Sequence, residues 1–234
     1  MRILAIESAE MAAAVALVDA DRLIAERKLT AAERSARALA PAIQTLLADA
    51  GWQPASIELI AVTAGPGSFT SLRVGLATAK SMAYALGCPI IGVQTLEALA
   101  RTVLNSQPIG QNELCIAIDA QRQQVFAARF ALSAEDRLLA LTDVELLDND
   151  AWLASLPAGA IVAGSALRTL AEQLPAHVTA APRELWQPSA EMVGRLGCER
   201  FQAGVRDDVF QLAPMYLRRT AAEEQWDRKR SAGA

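Results

Sequence analysis

The chain has 234 residues, of which 53% are hydrophobic and 21% charged, and its formal net charge is −4 at pH 7. This length suits one large α/β unit or two fused lobes of about 100 residues each, and the composition excludes disordered and fibrous proteins. The acidic balance disfavours a protein that holds nucleic acid by itself, because such proteins rely on clustered basic residues.

Cysteine usage and the N-terminus indicate the compartment. Cys88, Cys115 and Cys198 are odd in number and too far apart for a metal-ligand motif, which favours a reducing environment. Glu7 and Glu10 interrupt the apolar N-terminus before a signal-peptide core forms, and no apolar run reaches the ~18 residues of a membrane span. We therefore expect a soluble, cytoplasmic protein without membrane association.

The first half of the chain alternates between strand and helix patterns. Apolar runs predict strands at 2–8, 11–19 and 22–29, and the spacing of Leu39 and Ile43 predicts a helix within 31–51 that Pro41 kinks or delays. The predicted order continues with a strand at 57–64, a loop at 65–69, a helix at 70–86, a strand at 89–93 and a helix at 95–105.

The same order starts again after a break at 108–112. Strand patterns lie at 114–120, 124–132 and 138–146, followed by a helix at 151–156, a strand at 160–164 and a helix at 166–174. The first strand of each half is an apolar run that ends in a carboxylate, at Glu7 and at Asp119. We therefore predict two lobes of one βββαβα topology, 1–108 and 109–234, the second ending in a tail.

Duplicated βββαβα lobes with mixed sheets flanked by helices are the architecture of the actin, sugar-kinase and Hsp70 superfamily. Paired strand-end carboxylates there flank a phosphate and magnesium cleft, and Glu7 and Asp119 stand at those places. Backbone amides in glycine-rich turns must also approach the phosphates. Side chains follow both carboxylates here, at 8–11 and at 120–123. The sequence therefore favours a vestigial nucleotide cleft over a working one.

The segment 65–75, GPGSFTSLRVG, is the most informative stretch of the sequence. Its glycines permit unusual backbone angles between a strand and a helix, and Ser68 or Thr70 can cap the helix. It lacks the Lys-Ser/Thr pair of a phosphate loop and the flanking glycines of a nucleophile elbow. A hydrolase built on Ser68 would need His177, the only histidine, as its base.

Small residues recur every four positions along the helix after this loop. Ser71, Gly75, Ala79 and Ala83 would form a stripe that lets another helix approach closely, with packing inside the lobe as the alternative. We expect a helix-to-helix contact there. The candidate partner-interface residues are Arg34, Leu39, Ile43, Ser71, Leu72, Gly75, Ala79 and Ala83.

With these motifs the sequence closely resembles the TsaB (YeaZ) family, which is required for making threonylcarbamoyladenosine beside the anticodon of tRNAs that read codons starting with A. The resemblance spans most of the chain. It rests on ILAIES, AGPGSFTSLRVG, IGVQTLEALA, AIDAQRQQVFAARF and APMYLRR, in chain order. Within the central motif, the family-motif residues are Gly65, Pro66, Gly67, Ser68, Phe69, Thr70 and Arg73.

The resemblance implies an actin-like fold and a non-catalytic subunit that binds and activates the related enzyme TsaD through the first-lobe helices. It also implies that the ATPase TsaE joins the assembly, that a homodimer can form through the same helices, and that tRNA is contacted only indirectly. No cofactor or metal is expected.

The chain departs from the family pattern in four places. Glu7-Ser8-Ala9 stands where Asp-Thr-Ser or Asp-Thr-Ala is common, and Arg34-Ser35 where a His-Ser or His-Thr pair is common. Ser71 replaces a usual Gly, and Gln121 a usual Arg. The first change further weakens a nucleotide site, and none alters the resemblance.

Two alternative functions remain open. One is an ATP-dependent small-molecule kinase of the same superfamily, and the other is a peptidase, active or inactive, of the glycoprotease type. The first needs phosphate-binding glycines and a general base, and the second needs a nucleophile with its base or a metal. The arginine-containing tail after 217 is expected to be a solvated terminus, with a weak contact to partner-held tRNA as the alternative.

Overall fold

The computed structural model describes residues 1–10, 12–30, 36–110, 112–135 and 137–217. A five-stranded sheet forms the first lobe from strands β1 (Arg2–Glu7), β2 (Ala14–Asp19), β3 (Arg22–Lys28), β4 (Leu59–Gly65) and β5 (Ile90–Gln94). Their order is β3-β2-β1-β4-β5, with β1, β2 and β3 antiparallel and β1, β4 and β5 parallel. The predicted strands of this half are confirmed to within a few residues.

Alternate residues of β1 supply two different cores. Leu4 and Ile6 pack with helices α1 (Ala36–Asp49) and α2 (Phe69–Leu86), whereas Ile3 and Ala5 face the opposite side of the sheet. This division follows from the two-residue period of a strand. Pro41 lies inside α1, so the proline neither ends nor delays this part of the helix.

The second sheet repeats the topology of the first. It contains β6 (Leu114–Asp119), β7 (Gln124–Leu132), β8 (Leu138–Ala140), β9 (Glu145–Asp148), β10 (Ile161–Ala163) and β11 (Thr179–Ala180). The order is β11-β10-β6-β7-β8, and β9 pairs with β7 beyond the end of β8. The single strand predicted at 138–146 is therefore two short strands that share one neighbour.

The last helix of each half of the chain packs on the sheet of the other half. Helix α3 (Thr95–Ser106) contributes Leu96 and Leu99 to the core of the second sheet, which also packs against α4 (Asn149–Ala154) and α5 (Leu167–Leu170) on its other face. Helix α6 (Ala190–Gln202) packs instead on the first sheet, where it contributes Val193 and Leu196 to the core.

This packing corrects the predicted boundary between 108 and 109. Helix α6 belongs by its contacts to the first lobe, because Gly194 and Gly197 let it lie close to the sheet. A Cβ atom on Gly197 would lie 2.5 Å from the Cβ of Ala61. Helix α6 is not among the predicted elements, although Met192, Val193 and Leu196 have helical spacing.

Residues 207–217, which we call the C-terminal strap, return to the first lobe after α6. The Asp207 carboxylate accepts a hydrogen bond from the Gly92 amide at 2.7 Å, and the Met215 amide donates to the Ala64 carbonyl at 2.7 Å. The strap therefore covers the β5 edge of the first sheet. The predicted tail from 218 onwards lies outside the described residues.

A search of the described ranges for membrane-spanning segments finds none, since no helix in them is both long and apolar enough.

Candidate functional site

A cleft of about 930 Å³ lies between the two lobes. Four segments form its walls: the turn after β1, the start of α2 with its preceding loop, the turn after β6, and the end of the C-terminal strap. The first residues after β10 complete it, through Ser165, Arg168 and Thr169. The duplicated topology brings these segments together, because β1 and β6 are corresponding central strands of the two sheets.

Similar hydrogen bonds hold the ends of β1 and β6. The Ser8 amide donates to the Thr63 hydroxyl at 2.9 Å in the first lobe, and the Asp119 amide donates to the Ser165 hydroxyl at 3.2 Å in the second. In each lobe, the hydroxyl comes from the end of the neighbouring parallel strand or the turn after it. The two bonds are offset by one residue, because Ser8 follows the strand-end carboxylate Glu7 whereas Asp119 is itself the strand-end carboxylate.

The loop 65–68 clamps the turn after β1. The Ser68 amide donates to the Ala9 carbonyl at 2.7 Å, and a Cβ atom on Gly67 would lie 2.8 Å from the Cβ of Ala9 and overlap its carbonyl oxygen. Gly65 has a φ of +108°, and Pro66 is buried. Gly67 is therefore explained by close packing between two turns of the same lobe.

Ser68 stands at the N-cap of α2, but its hydroxyl makes no capping hydrogen bond. It accepts instead from the Ser71 hydroxyl at 3.0 Å. Thr70 is exposed within the first turn of α2, so the predicted side-chain cap is absent at both positions.

Three residues of the small-residue stripe, Gly75, Ala79 and Ala83, are buried inside the first lobe, which corrects the predicted interface. A Cβ atom on Gly75 would lie 2.6 Å from the Cβ of Ser8, so Gly75 lets α2 approach the turn after β1. Ala79 and Ala83 are buried in the same core as Leu39 and Ile43, and Leu72 is buried as well. Six predicted interface positions are therefore interior to the first lobe.

The remaining two interface candidates differ from these six. Ser71 is half-buried and bonded to Ser68, and Arg34 lies outside the described residues. The exposed faces of α1 and α2 carry other residues, among them Gln44, Thr45, Ala77 and Ser81.

Arg73 of the motif is engaged by the C-terminal strap. Its guanidinium lies 3.8 Å from the centre of the Phe69 ring, and its Nε donates to the Tyr216 hydroxyl at 2.9 Å. The Phe69 and Tyr216 rings are 5.2 Å apart. Arginine stacked on aromatic rings is favourable, so these three side chains join the motif to the rim of the cleft.

Glu7 is buried behind the cleft. It is 2% exposed and accepts a hydrogen bond from the Ala9 amide at 2.7 Å. Burial raises its pKa to about 8, so the carboxyl is mostly neutral at pH 7. The carboxyl that lines the cleft from this turn is Glu10, beside Ala9, and Glu10 was not among the predicted site residues.

Glu10 is a buried carboxyl with one unpartnered oxygen. It is 6% exposed, lines the cleft, and its Oε1 has no hydrogen-bond partner within the described part of the chain. Burial raises its pKa; a hydrogen bond with Ser165 and the charge of Arg168 act in the opposite direction, and the charge of Asp119 raises it further. A buried polar atom left without a partner is costly.

The turn after β6 presents side chains to the cleft. Gln121, Arg122 and Gln123 have φ values of +61°, +58° and +59°, and Asp119 accepts hydrogen bonds from the Gln121 amide at 2.8 Å and from its side-chain Nε2 at 2.7 Å. Left-handed backbone at non-glycine residues costs energy and is enriched at functional sites.

His177, the base that a hydrolase built on Ser68 would need, does not line the cleft, whereas Ser68 does. A ring nitrogen of His177, Nε2, lies 3.1 Å from the Leu156 carbonyl oxygen in the second lobe. Among the described residues, no group of three or more His, Cys, Asp or Glu could hold a metal ion.

The duplicated sheets and the cleft between them define a two-lobed protein of the actin, sugar-kinase and Hsp70 type. A family model described as "TsaD: tRNA N6-adenosine threonylcarbamoyltransferase" matches residues 29–226. The chain belongs to the family of this model and, within it, to the TsaB/YeaZ proteins.

Individual relatives agree with this assignment. The chain is 35% identical to the tRNA threonylcarbamoyladenosine biosynthesis protein TsaB of Escherichia coli over 130 residues, which are 56% of this chain and 55% of that protein. It is 35% identical to an uncharacterized protein of Mycobacterium tuberculosis over 55% of this chain and 58% of that protein. These matches thus span little more than half of each relative.

A solved structure extends the likeness of fold to nearly the whole chain. YeaZ from Pseudomonas aeruginosa superimposes with a TM-score of 0.78 at 24% identity, over 92% of this chain and 99% of that chain. At this identity the comparison concerns the fold.

Proposed function

We propose that this protein is a non-catalytic subunit required for threonylcarbamoyladenosine modification of tRNA, and that it binds and activates the catalytic paralogue TsaD. Its membership of the TsaB/YeaZ proteins is the observation that carries the proposal. TsaE joins the same assembly, and a homodimer forms through the surface that otherwise receives TsaD.

The cleft supports a non-catalytic role. The loop 65–68 packs directly on the turn after β1, and the turn after β6 carries Gln121 and Arg122 into the cleft. Close contact between phosphates and backbone amides needs space at these turns. Glu7, the carboxyl at the end of β1, is buried and does not line the cleft, so its oxygens are not placed to hold a Mg²⁺ ion there.

The exposed faces of α1 and α2 are the partner surface that we propose. Gln44 and Thr45 on α1, and Ala77 and Ser81 on α2, are exposed, uncharged and small or of moderate size. Such side chains let helices of another subunit approach closely without leaving a buried charge unpaired. This surface replaces the buried residues predicted from the sequence.

The partner surface is tested by Ala77→Arg. A charged, long side chain there would obstruct helix approach, and we expect affinity for TsaD from the same organism to fall at least about tenfold, as for a loss of ~1.4 kcal/mol. Ala154→Arg on α4 places the same change on an exposed helix of the second lobe and should leave binding unchanged.

Binding is measured by isothermal titration, and modification by the threonylcarbamoyladenosine content of tRNA in a reconstituted reaction. Equal loss in both variants, or in neither, would contradict the proposed surface. Modification that proceeds at full rate without this chain would contradict the proposed function itself.

The activating role is tested by tRNA binding at two salt concentrations. With a net charge of −4, this chain alone should bind tRNA weakly, and TsaD should supply most of the RNA contacts. Tight, salt-sensitive binding by the isolated chain would contradict the indirect role.

Turnover of ATP or of a peptide that disappears in Glu10→Gln would favour the kinase or the peptidase alternative.

A further inference from the structure

We propose that the cleft between the lobes binds a free α-amino acid with an apolar or aromatic side chain, its ammonium group on Glu10 and its carboxylate on Arg168. This ligand site is separate from the partner surface on α1 and α2 and does not depend on the proposed function.

The Glu10 carboxyl has hydrogen-bond acceptor capacity that the described residues leave unused. The carboxyl is 94% buried, its Oε1 has no partner among the described residues, and Ser165 supplies a hydrogen bond to the group. An ammonium group offers three N–H donors and a positive charge, so it would satisfy this oxygen.

The charge of Asp119 favours a cation at the same place. Asp119 lines the cleft and disfavours the ionised form of Glu10 through charge repulsion. A positive group beside both carboxylates relieves this repulsion. Both Asp119 oxygens already accept hydrogen bonds from Gln121, so Asp119 acts here through its charge.

Arg168 makes a purely cationic ligand a poor fit. The positive charge of Arg168 favours the ionised form of the Glu10 carboxyl. The Arg168 side chain is exposed and lines the same cleft. A metal ion or a simple amine would be repelled by this guanidinium, whereas a ligand that also carries a carboxylate is attracted to it. Arginine binds carboxylates through two parallel hydrogen bonds. The neighbouring opposite charges of a free α-amino acid match this arrangement.

The rest of the cleft is suited to an apolar side chain. Phe69, Phe126, Ile118, Met215 and Tyr216 all line it. Small-molecule sites are mostly apolar with a few polar groups that fix orientation, and this lining follows that pattern. The volume of about 930 Å³ admits an aromatic amino acid with room for water.

The test is isothermal titration of the full-length protein with L-phenylalanine and L-leucine. We expect a Kd below about 1 mM for at least one of them. L-Phenyllactate replaces the ammonium with a hydroxyl, and L-phenylalaninamide replaces the carboxylate with an amide; each should bind at least about tenfold more weakly, as expected for a lost charge-assisted hydrogen bond.

Two variants locate the site. Glu10→Gln and Arg168→Gln should each weaken binding at least about tenfold, while Arg183→Gln, a matched change at an exposed position that does not line the cleft, should not. Arg168 is exposed, so its variant tests the site even if Glu10→Gln perturbs folding. Thermal unfolding of each variant measures that perturbation.

Three results would overturn the proposal. The first is that neither amino acid binds at a concentration of about 10 mM, ten times that Kd limit. The second is that L-phenyllactate or L-phenylalaninamide binds as tightly as L-phenylalanine. The third is that Arg168→Gln binds the amino acids as tightly as the parent protein. MgATP that binds where the amino acids do not would assign the cleft to nucleotides instead.

Discussion

Gly67 and Gly75 illustrate how single residues of the central motif act. Each lacks a side chain where another part of the same lobe comes close, with Ala9 against Gly67 and Ser8 against Gly75. The sequence indicated that these positions need glycine or small residues. It could not indicate which neighbour requires them, because Ala9 lies 58 residues before Gly67 and Ser8 lies 67 residues before Gly75 in the chain.

Glu7 predicts a pH dependence of stability. Its pKa is about 8 in the folded protein against an ordinary value of 4.5, because burial disfavours the charged form. Between pH 4.5 and about pH 8, the folded state therefore holds a proton on Glu7 that the unfolded state has released. Stability linked to Glu7 is fully present below pH 4.5 and falls by up to about 1.4 kcal/mol per pH unit as the pH rises towards 8.

The variant Glu7→Gln should remove this dependence. A neutral amide still accepts the hydrogen bond from the Ala9 amide, so the variant should unfold at a higher temperature than the parent at pH 8 and show a smaller difference at pH 5. Thermal unfolding at both pH values measures the effect. Glu172→Gln, at an exposed position, is the control, and an equal response of the two variants would refute the assignment.

At the scale of elements, α6 and the C-terminal strap organise the first lobe from the far end of the chain. Arg200 on α6 donates to the Gly92 carbonyl at 2.7 Å and pairs with Glu97 on α3. Lys80 on α2 donates to the carbonyls of Phe210 and Leu212 at 3.1 and 2.9 Å. The Arg200 contacts fix α6 against β5 and α3, and the Lys80 hydrogen bonds hold the strap along α2.

Lys80→Met should loosen the strap while keeping the apolar stem of the side chain. Two hydrogen bonds from a charged donor are lost, each worth about 1–3 kcal/mol, so amide exchange within 207–217 should accelerate at least about fivefold. Hydrogen exchange with mass spectrometry measures this rate. Lys28→Met, at the exposed end of β3, should leave the strap unchanged; unchanged exchange in Lys80→Met would mean that other contacts hold it.

At the scale of the whole molecule, the exchanged helices couple the two halves. Ile3, Ala5 and Ile91 on the first sheet lose their cover if α6 is removed, and Leu114 and Ile116 on the second lose theirs without α3. Burial of such surfaces provides most of the stability of a lobe. We therefore expect the two sheets to unfold as one cooperative unit.

A fragment of residues 1–108 should fail to fold alone. It would expose the face of the first sheet that α6 covers, and we expect no cooperative thermal transition and poor dispersion of amide signals in solution. The full-length chain is the control and should unfold in one transition. A fragment that unfolds cooperatively would show that the first lobe is stable without α6.

The sequence by itself determined most elements of both halves, though not α6 or the division of 138–146 into two strands, and it determined the duplication, the family and the importance of 65–75. These depend on local signals, namely the periods of strands and helices, turn residues and a long specific motif. Tertiary structure alone decided that α6 packs on the first sheet, that the small-residue stripe is interior, and that Glu10 rather than Glu7 lines the cleft. The reason is physical: periodicity fixes which residues share a face, whereas what covers that face depends on contacts between residues far apart in the chain.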